Sequence, residues 1–362
     1  MLNVKLFLQF DELLALEAQW QRLQRETDDD LGLFSTVAFV QSLLQTQAPS
    51  AWCVIGCYAA DKTGQERLVG VVPLELVNIQ ADAASFRMAR PLGARLAPYV
   101  EPLILRDFRL DVWKAVLHVL RRHLACSLLF LGTLHEDSRN HLCLLEHLEA
   151  DQRHVLTAGN MPFIDTRTLD FESFFAGKRK ATLPDARRCE RRLAEHGELS
   201  FGVIRDPTLL NQYVPQICTA NTDRFAGSHA YGESQEWRPV LEAFAENAQR
   251  DGTLELSGLF LDGRLLAAHL GFLYKGRRYY YMPYATGELS GLSPSKVLMS
   301  KLIEITFAEG GVFCFGIGLY RYKLDWCQAV ADSKMAFVFL ENGVRESLLP
   351  FLDAERIKMF YL

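Results

Sequence analysis

LELSGLFLDGRLLAAHLGFLYKGRRYYYMPYATGELSGLSPSKVLMSKLIEITFAEGGVFCFGIGLYRYKLDW, residues 254–326, reads as one β-β-β-α-β run. Leu254–Leu261 and Arg264–Tyr274 alternate like strands and flank Asp262-Gly263, a dipeptide suited to a two-residue hairpin turn. Lys275-Gly276 turns the chain into a third strand, Arg277–Ala285. Ser293 then offers a helix N-cap, Pro294 suits the first helical position, and Gly310 stops the helix after Glu309. Val312–Gly316 is a short apolar strand. The polar groups of the run gather at its strand-to-helix turn, Ser290 to Lys296.

The rest of the chain extends this pattern. Immediately upstream, Leu199–Arg205 reads as a strand, and Pro207–Phe225 and Ser234–Arg250 as helices, with Pro215 expected to kink the first. Asp170 can cap a short helix reaching Ala176. In the first half, Asn3–Gln9 alternates like a strand, and Asp11 caps a helix with Leu13, Leu14, Leu16, Trp20 and Leu23 on its apolar side. Ser35 caps a second helix, Thr36–Gln45. Ala51–Ala60 and Arg67–Val77 pair across Asp61–Glu66, and Ser85–Ala89 adds a third strand. Arg90–Arg106, with three prolines, reads as loop. A helix, Arg109–His123, a strand, Ser127–Gly132, a helix near Ser138–Glu149 and short strands near 153–157 and 162–166 follow. Met335–Leu340 is the last strand. Both halves thus run helices, hairpin, third strand, helix, then a short apolar strand ending in Gly. LVGVVPLELV (68–77) parallels LLAAHLGFLY (265–274), and LLFLG (128–132) parallels VFCFG (312–316). A duplication would account for the match, and so would chance agreement of two α/β domains.

Composition narrows the classes. The 362 residues are 49% apolar and 23% charged, ordinary for globular chains and long enough for two domains. No apolar run approaches the roughly 20 residues of a membrane span. The N-terminus has no basic region, and Asp11 and Glu12 interrupt its apolar stretch, so the expected compartment is cytoplasmic. The eight cysteines contain no CxxC pair, and Cys53 and Cys57 read as small core side chains of one strand. No cluster has metal-ligand spacing, and no GxSxG elbow is present. A net charge of −5 argues against DNA as a partner.

Three features could carry chemistry. The turn TGELSGLSPSK opens a helix, whose first N–H groups lack internal partners and carry partial positive charge. Ser290, Ser293 and Ser295 add hydroxyls and Lys296 a cation, so the turn suits a phosphate or another anion, although it has neither a Walker nor a Rossmann spacing. The plain alternative is a well-capped helix. GIGLYRYKLDW (316–326) follows a strand and holds Tyr320, Arg321, Tyr322, Lys323 and Asp325, which suits proton transfer; it could equally be a solvated loop anchored by Trp326. From Lys178 to Arg192 the chain has seven Lys or Arg and two acids, with Arg187, Arg188, Arg191 and Arg192 on one side of a helix read from Pro184. That face could meet a polyanion or simply be solvated. His269 lies mid-strand, where a satisfied structural histidine is the usual outcome.

LDGRLLAAHLGF, RRYYYMPYA, LSPSKVLMSKLIE and VFCFGIGLYRYKLDW, in this order, resemble the C-terminal half of the CelD/BioF2-like acetyltransferases, members of the GNAT superfamily related to the FemAB aminoacyl transferases. APYVEPLIL (97–105) is similar to the family's aromatic-acid-Pro-Leu stretch, and RRCERRLAEHG (187–197) to its basic helix. The resemblance implies a mixed α/β chain with two tandem GNAT-like domains, mostly antiparallel sheets flanked by helices: 1–156, non-catalytic, and 157–362, holding the acyl donor. It implies donor phosphates at Ser293, Pro294, Ser295 and Lys296, beside Ser290. It implies a Tyr-Lys pair at Tyr322 and Lys323 near the acceptor, and substrate contact at Arg224, His269, Tyr99 and Glu101. Where the family commonly has Ser-Pro-Gly, this chain has Ser295, which a left-handed backbone would strain. Cys314 stands near the position where an acid is common.

The implied activity is N-acyl transfer, most simply acetyl, from acyl-CoA as co-substrate, without a metal, to an amine. The amine could be an amino sugar or an envelope or polysaccharide precursor. An amine would attack the thioester directly, Tyr320 or Tyr322 would protonate the leaving thiolate, Lys323 would orient or neutralise charge, and Asp325 would take the amine proton. Two alternatives stay open: a Fem-like transferase using aminoacyl-tRNA, which the basic segment favours, and a non-catalytic binding protein on a degenerate GNAT pair.

Overall fold

The computed structural model describes residues 2–60, 64–81, 84–178, 182–224 and 237–352. In chain order the elements are β1 (Asn3–Phe7), α1 (Phe10–Glu26), α2 (Val37–Gln47), β2 (Trp52–Ala60), β3 (Glu66–Ala81), β4 (Ala84–Pro91), β5 (Leu103–Ile104), α3 (Arg109–Arg122), β6 (Leu128–His135) and α4 (Arg139–Glu146). Then follow β7 (Arg153–Asp165), α5 (Phe171–Ala176), α6 (Leu183–Ala194), β8 (Leu199–Val203), α7 (Pro207–Arg224), α8 (Arg238–Asp251), β9 (Leu254–Leu261), β10 (Arg264–Tyr274) and β11 (Arg277–Ala285). The chain closes with α9 (Pro294–Glu309), β12 (Val312–Cys314), α10 (Arg321–Trp326), β13 (Ala329–Phe339) and α11 (Val344–Leu348). Residues 61–63 of the first hairpin connection, Arg179 and Lys180 of the basic segment, Phe225, and 234–236 at the expected start of α8 lie outside the described residues.

Two compact units result, 1–159 with 332–362, and 160–331. The first orders its strands β1-β2-β3-β4-β6, closed by β13 antiparallel to β6 (Phe337↔Phe130, Val338↔Leu129). The second orders them β8-β9-β10-β11-β12, closed by residues 163–165 of β7 antiparallel to β12. In each unit a single parallel pair interrupts an otherwise antiparallel sheet: β4 with β6, and β11 with β12. Leaving aside β5, which pairs with β3 off the main strand order, both units therefore repeat β-α-α-β-β-β-α-β-α. Nothing in the periodicity signals that the segment after Ala331 joins the first unit rather than the second.

Local chemistry explains most element ends. Asp262 (φ 48°) and Gly263 (φ 75°) are both left-handed, as a two-residue hairpin turn with this twist requires. Gly310 (φ 70°) ends α9 as expected. Two expected caps are corrected. Gln9, not Asp11, is the N-cap of α1, and Glu12 returns its carboxylate to the amides of Leu8 and Gln9. Thr36, not Ser35, caps α2 by accepting from the Phe39 amide. The two short strands expected near 153–157 and 162–166 are one, β7. Cys53 and Cys57 are fully buried, and burial pushes both thiols up to about 12, in keeping with inert core residues. Among the described residues no helix is long and apolar enough to cross a membrane, and no group of His, Cys, Asp and Glu could hold a metal.

In the second unit, α6 and α9 cover one face of the sheet around Leu259, Leu266, Val297, Leu302 and Phe313. α8 packs on the other face, where Phe244 stacks on Phe272 at 4.4 Å. Under the far end of α9 lies a buried ion-pair network. Arg278 meets both oxygens of Glu255 (2.7 and 2.9 Å), Thr306 Oγ1 (2.5 Å) and Glu309 (2.8 Å). This fork ties β9 to β11 and both to α9. Removing one partner strands the other's charge in the interior, which typically costs about 3–5 kcal/mol, whereas removing both costs far less. Arg278→Met should therefore lower the urea-unfolding free energy by about 3–5 kcal/mol, and Arg278→Met with Glu255→Leu should recover most of it. Equal losses in the single and double variants would refute this account.

Candidate active site

The site grows out of the β11–β12 pairing. The two strands run parallel through Arg277↔Val312, Arg278↔Phe313 and Tyr279↔Cys314. β11 then continues to Ala285, while β12 ends and the Phe315 amide bonds the Pro162 carbonyl at 3.1 Å. Past Tyr279 the strands part, and a wedge opens at their C-terminal ends, where α/β sheets place ligands.

The turn after β11 forms one wall. Ser290–Leu292 makes a single 3₁₀ turn, with Leu289 (φ 52°) before it and Ser293 (φ 51°) after it in left-handed conformation. Ser293 is the N-cap of α9, yet its side chain makes no capping bond, and the first turn of α9 carries no acid. An unscreened helix N-terminus of this kind attracts anions. Two expectations change here. Ser295 lies inside α9 and needs no left-handed backbone; the strain falls on Ser293 and Leu289. Lys296 does not stand free at the turn: its Nζ meets Asp185 of α6 at 2.6 Å, and that bond, with Arg188, holds the Asp185 carboxyl below its usual range.

The other segment at this end of the sheet, following β12, is residues 316–326. Gly316 (φ 73°) and Gly318 (φ 99°) turn the chain away from β12, and Arg321–Trp326 form the short helix α10 in place of the expected loop. Lys323 and Trp326 face inward, Trp326 edge-on to Phe175 at 5.6 Å. Lys323 donates to the Ile317 carbonyl at 2.8 Å and lies over the Tyr320 ring at 5.2 Å. It is only 5% exposed, and burial depresses its ammonium to about 8. Tyr322 moves the other way: although 42% of the residue is exposed, the covered part of its side chain raises the phenol, and Arg224 at the end of α7 opposes this. Ile317, Leu319, Tyr320, Tyr322 and Leu324 are exposed around Lys323, and Tyr320 and Tyr322 stack at 6.3 Å.

Of the residues singled out in the sequence, Tyr320, Tyr322, Lys323 and Asp325 therefore share the 316–326 wall, and Ser290, Ser293 and Pro294 the helix wall. Tyr280 was missed. It is the first β11 residue past the ladder, is buried, and interacts with both Tyr322 and Arg224. Three consecutive tyrosines gave no means of choosing it. His269 is fully buried, stacks on Tyr280 at 4.6 Å and accepts the Tyr281 amide at 3.0 Å, so it presents no surface to a substrate. Tyr99 and Glu101 belong to the interior of the first unit, at 2% and 1% exposure. There Glu101 takes the Asn140 amide (2.8 Å) and pairs with His141 Nδ1 (2.7 Å), a structural role that replaces the expected substrate contact. On α6, Arg187 pairs with Glu172 and Arg188 with Asp185, so the basic face is partly neutralised.

Residues 179–324 match the family model described as an acetyltransferase (GNAT) domain. Among solved structures, FemX superposes with a TM-score of 0.57 at 10% identity, over 97% of this chain and 99% of that one. The C-terminal domain of a putative lysylphosphatidylglycerol synthetase from Agrobacterium fabrum gives 0.54 at 13% identity, over 96% and 98%. L-PGS from Bacillus licheniformis gives 0.53 at 13%, over 92% and 94%. At these identities the likeness is one of fold. No curated protein matches the chain.

Two outcomes follow from the geometry. Ser293→Gly should relieve a left-handed serine and raise the urea-unfolding free energy by about 1 kcal/mol; a loss of stability would show that the hydroxyl does more than the backbone suggests. Lys323 is charged in both states below its folded value of about 8 and neutral only in the folded state between there and 10.5. Stability relative to Lys323→Met should thus rise by roughly 3 kcal/mol across that window. A difference that stays flat with pH would contradict it.

Proposed function

We propose that this chain, whose residues 179–324 carry an acetyltransferase (GNAT) domain, transfers an acyl group from an acyl thioester to an amine at the wedge between β11 and β12. The observation that carries the reading is the placement of Tyr322 and Lys323 side by side on α10, with Lys323 5% exposed and bonded to the Ile317 carbonyl and the two groups' proton affinities displaced in opposite directions. Neighbouring groups pushed apart in this way divide into an acid and a base. Tyr322 holds its proton across the neutral range and can give it to the departing sulfur. Lys323, neutral in good part near pH 8, can take the proton the attacking amine sheds. Asp325, in the same short helix, and Tyr320, over the Lys323 ammonium, complete this wall.

Coenzyme A is the thioester carrier the site suits best. Its pyrophosphate would face the open end of α9 at Ser290, Ser293, Pro294 and Ser295, with Lys296 contributing through the Asp185 pair rather than as a free cation. Acetyl is the simplest acyl group. The acceptor amine would enter along Ile317, Leu319, Tyr320 and Leu324, beside Arg224. An amino sugar or an envelope precursor, with its mix of apolar faces and hydroxyls, fits that approach.

The exposed basic face of α6 favours a second reading, an aminoacyl-tRNA donor. RNase sensitivity of the activity separates the two, and a calorimetric titration that detects no donor at all would favour a non-catalytic binding protein.

With acetyl-CoA and a primary amine, Lys323→Met should lower kcat by about a hundredfold or more while donor KM changes little. The wild-type rate should climb with pH through about 8, where Lys323 loses its proton, and the variant should lack that limb. An unchanged kcat, or a limb that persists in the variant, would remove Lys323 from the chemistry.

A further inference from the structure

The wedge begins at a defect in the sheet. Between Leu270↔Met282 and Phe272↔Tyr279, β11 spends one residue more than β10, so Tyr280 and Tyr281 bulge out of register. The bulge falls directly after Tyr279↔Cys314, the last pair holding β11 to β12. An extra residue orphans a backbone amide, here that of Tyr281, and a buried amide needs a partner. His269 Nε2 accepts it at 3.0 Å, and the ring lies flat on Tyr280, with centroids 4.6 Å apart and planes 12° from parallel.

Space for that ring comes from Gly271. A Cβ there would stand 2.1 Å from His269 Cε1 and 2.5 Å from the Tyr279 carbonyl oxygen. Accepting at Nε2 puts the ring proton on Nδ1, which is buried without a partner among the described residues. The same holds for Ser257 Oγ, on the residue opposite His269 in β9. A leucine of similar volume would avoid that cost and pack equally well. What it would lack is an acceptor for the Tyr281 amide. Burial and the Arg278 charge keep the ring neutral, with a pKa depressed to about 3, so the accepting lone pair is present throughout the physiological range.

We infer that His269 is a positioning residue of the wedge: with Gly271 it locks the β11 bulge, and so fixes where β11 leaves β12 and where the Tyr280 ring stands. Its effect on turnover rests on the acyl-transfer reading, whereas the lock itself does not.

Three variants test it: His269→Gln keeps an acceptor oxygen at similar reach, His269→Leu keeps volume without an acceptor, and Gly271→Ala evicts the ring. Amide exchange at Tyr281, followed by mass spectrometry, reads the lock without any assay of transfer. Exchange should speed up by about a hundredfold in His269→Leu and Gly271→Ala and stay near wild type in His269→Gln. With acetyl-CoA and a primary amine, kcat should fall by roughly ten- to a hundredfold in the first two at near-constant donor KM, and His269→Gln should retain most of it with an unaltered pH profile. A protected Tyr281 amide in a folded His269→Leu protein would overturn the lock. A limb lost from the pH profile of His269→Gln would mean that the histidine works by titration and not by position. If wild type transfers nothing, the exchange result still decides the lock, and only the acyl-transfer reading falls.

Discussion

Three residue pairs of parallel ladder hold β11 to β12, and the candidate site exists because there is no fourth. Apart from Arg224, at the end of α7, every group assigned to it hangs from one of the two parting strands. β11 leads to Tyr280 and, through its turn, to the open end of α9. β12 leads through Gly316 and Gly318 to Tyr322 and Lys323. Side chains on rigid elements hold their geometry better than side chains on loops. Here Tyr322 and Lys323 lie beyond the end of β12 on a short helix, α10, which fixes Lys323 between the Ile317 carbonyl and the Tyr320 ring.

Charge is buried in both units, to different ends. In the first, Glu101 and His141 join the loop before β5 to α4, and Asp29 beside them is pushed up to about 8 by burial and by Glu101. In the second, Arg278 spans Glu255 and Glu309 beneath α9. Networks of this kind contribute little net stability over a well-packed apolar core. They do fix which residue faces which. The Arg278 fork sets the register of β9, β11 and α9 two residues before the bulge, and its charge helps keep His269 neutral.

Much of the fold was legible because local rules agreed with the final structure. The Asp262-Gly263 turn, the Pro294 start and Gly310 stop of α9, and the alternation of β9 to β11 are all decided within a few residues. The site was legible only in outline. Residue type and spacing drew attention to Lys323, Tyr322 and the Ser290–Lys296 turn, but could not reveal that Asp185, some hundred residues earlier in the chain, occupies Lys296. The strain expected at Ser295 came from the family's Ser-Pro-Gly pattern, whereas the Pro294 start already places Ser295 inside the helix; that the N-cap Ser293 is itself left-handed is set by the 3₁₀ turn before it. Substrate contact at Glu101 and His269 rested on the family resemblance alone, and for His269 the mid-strand position already pointed to a structural role. Their burial is a property of tertiary packing that no window of sequence contains.

The closing strand of the first unit carries one more consequence. β6 pairs with residues 333–339, about 200 positions further along the chain. During synthesis the first unit must wait: its strands through β6 emerge from the ribosome long before the segment that completes their sheet. Until then LLFLG of β6 is an uncovered apolar edge, the kind of surface on which nascent chains associate wrongly. The second unit, whose own closing residues 163–165 precede the rest of it, faces no such delay. The sheet of the half that is made first therefore cannot be closed until residues 333–339 have been made.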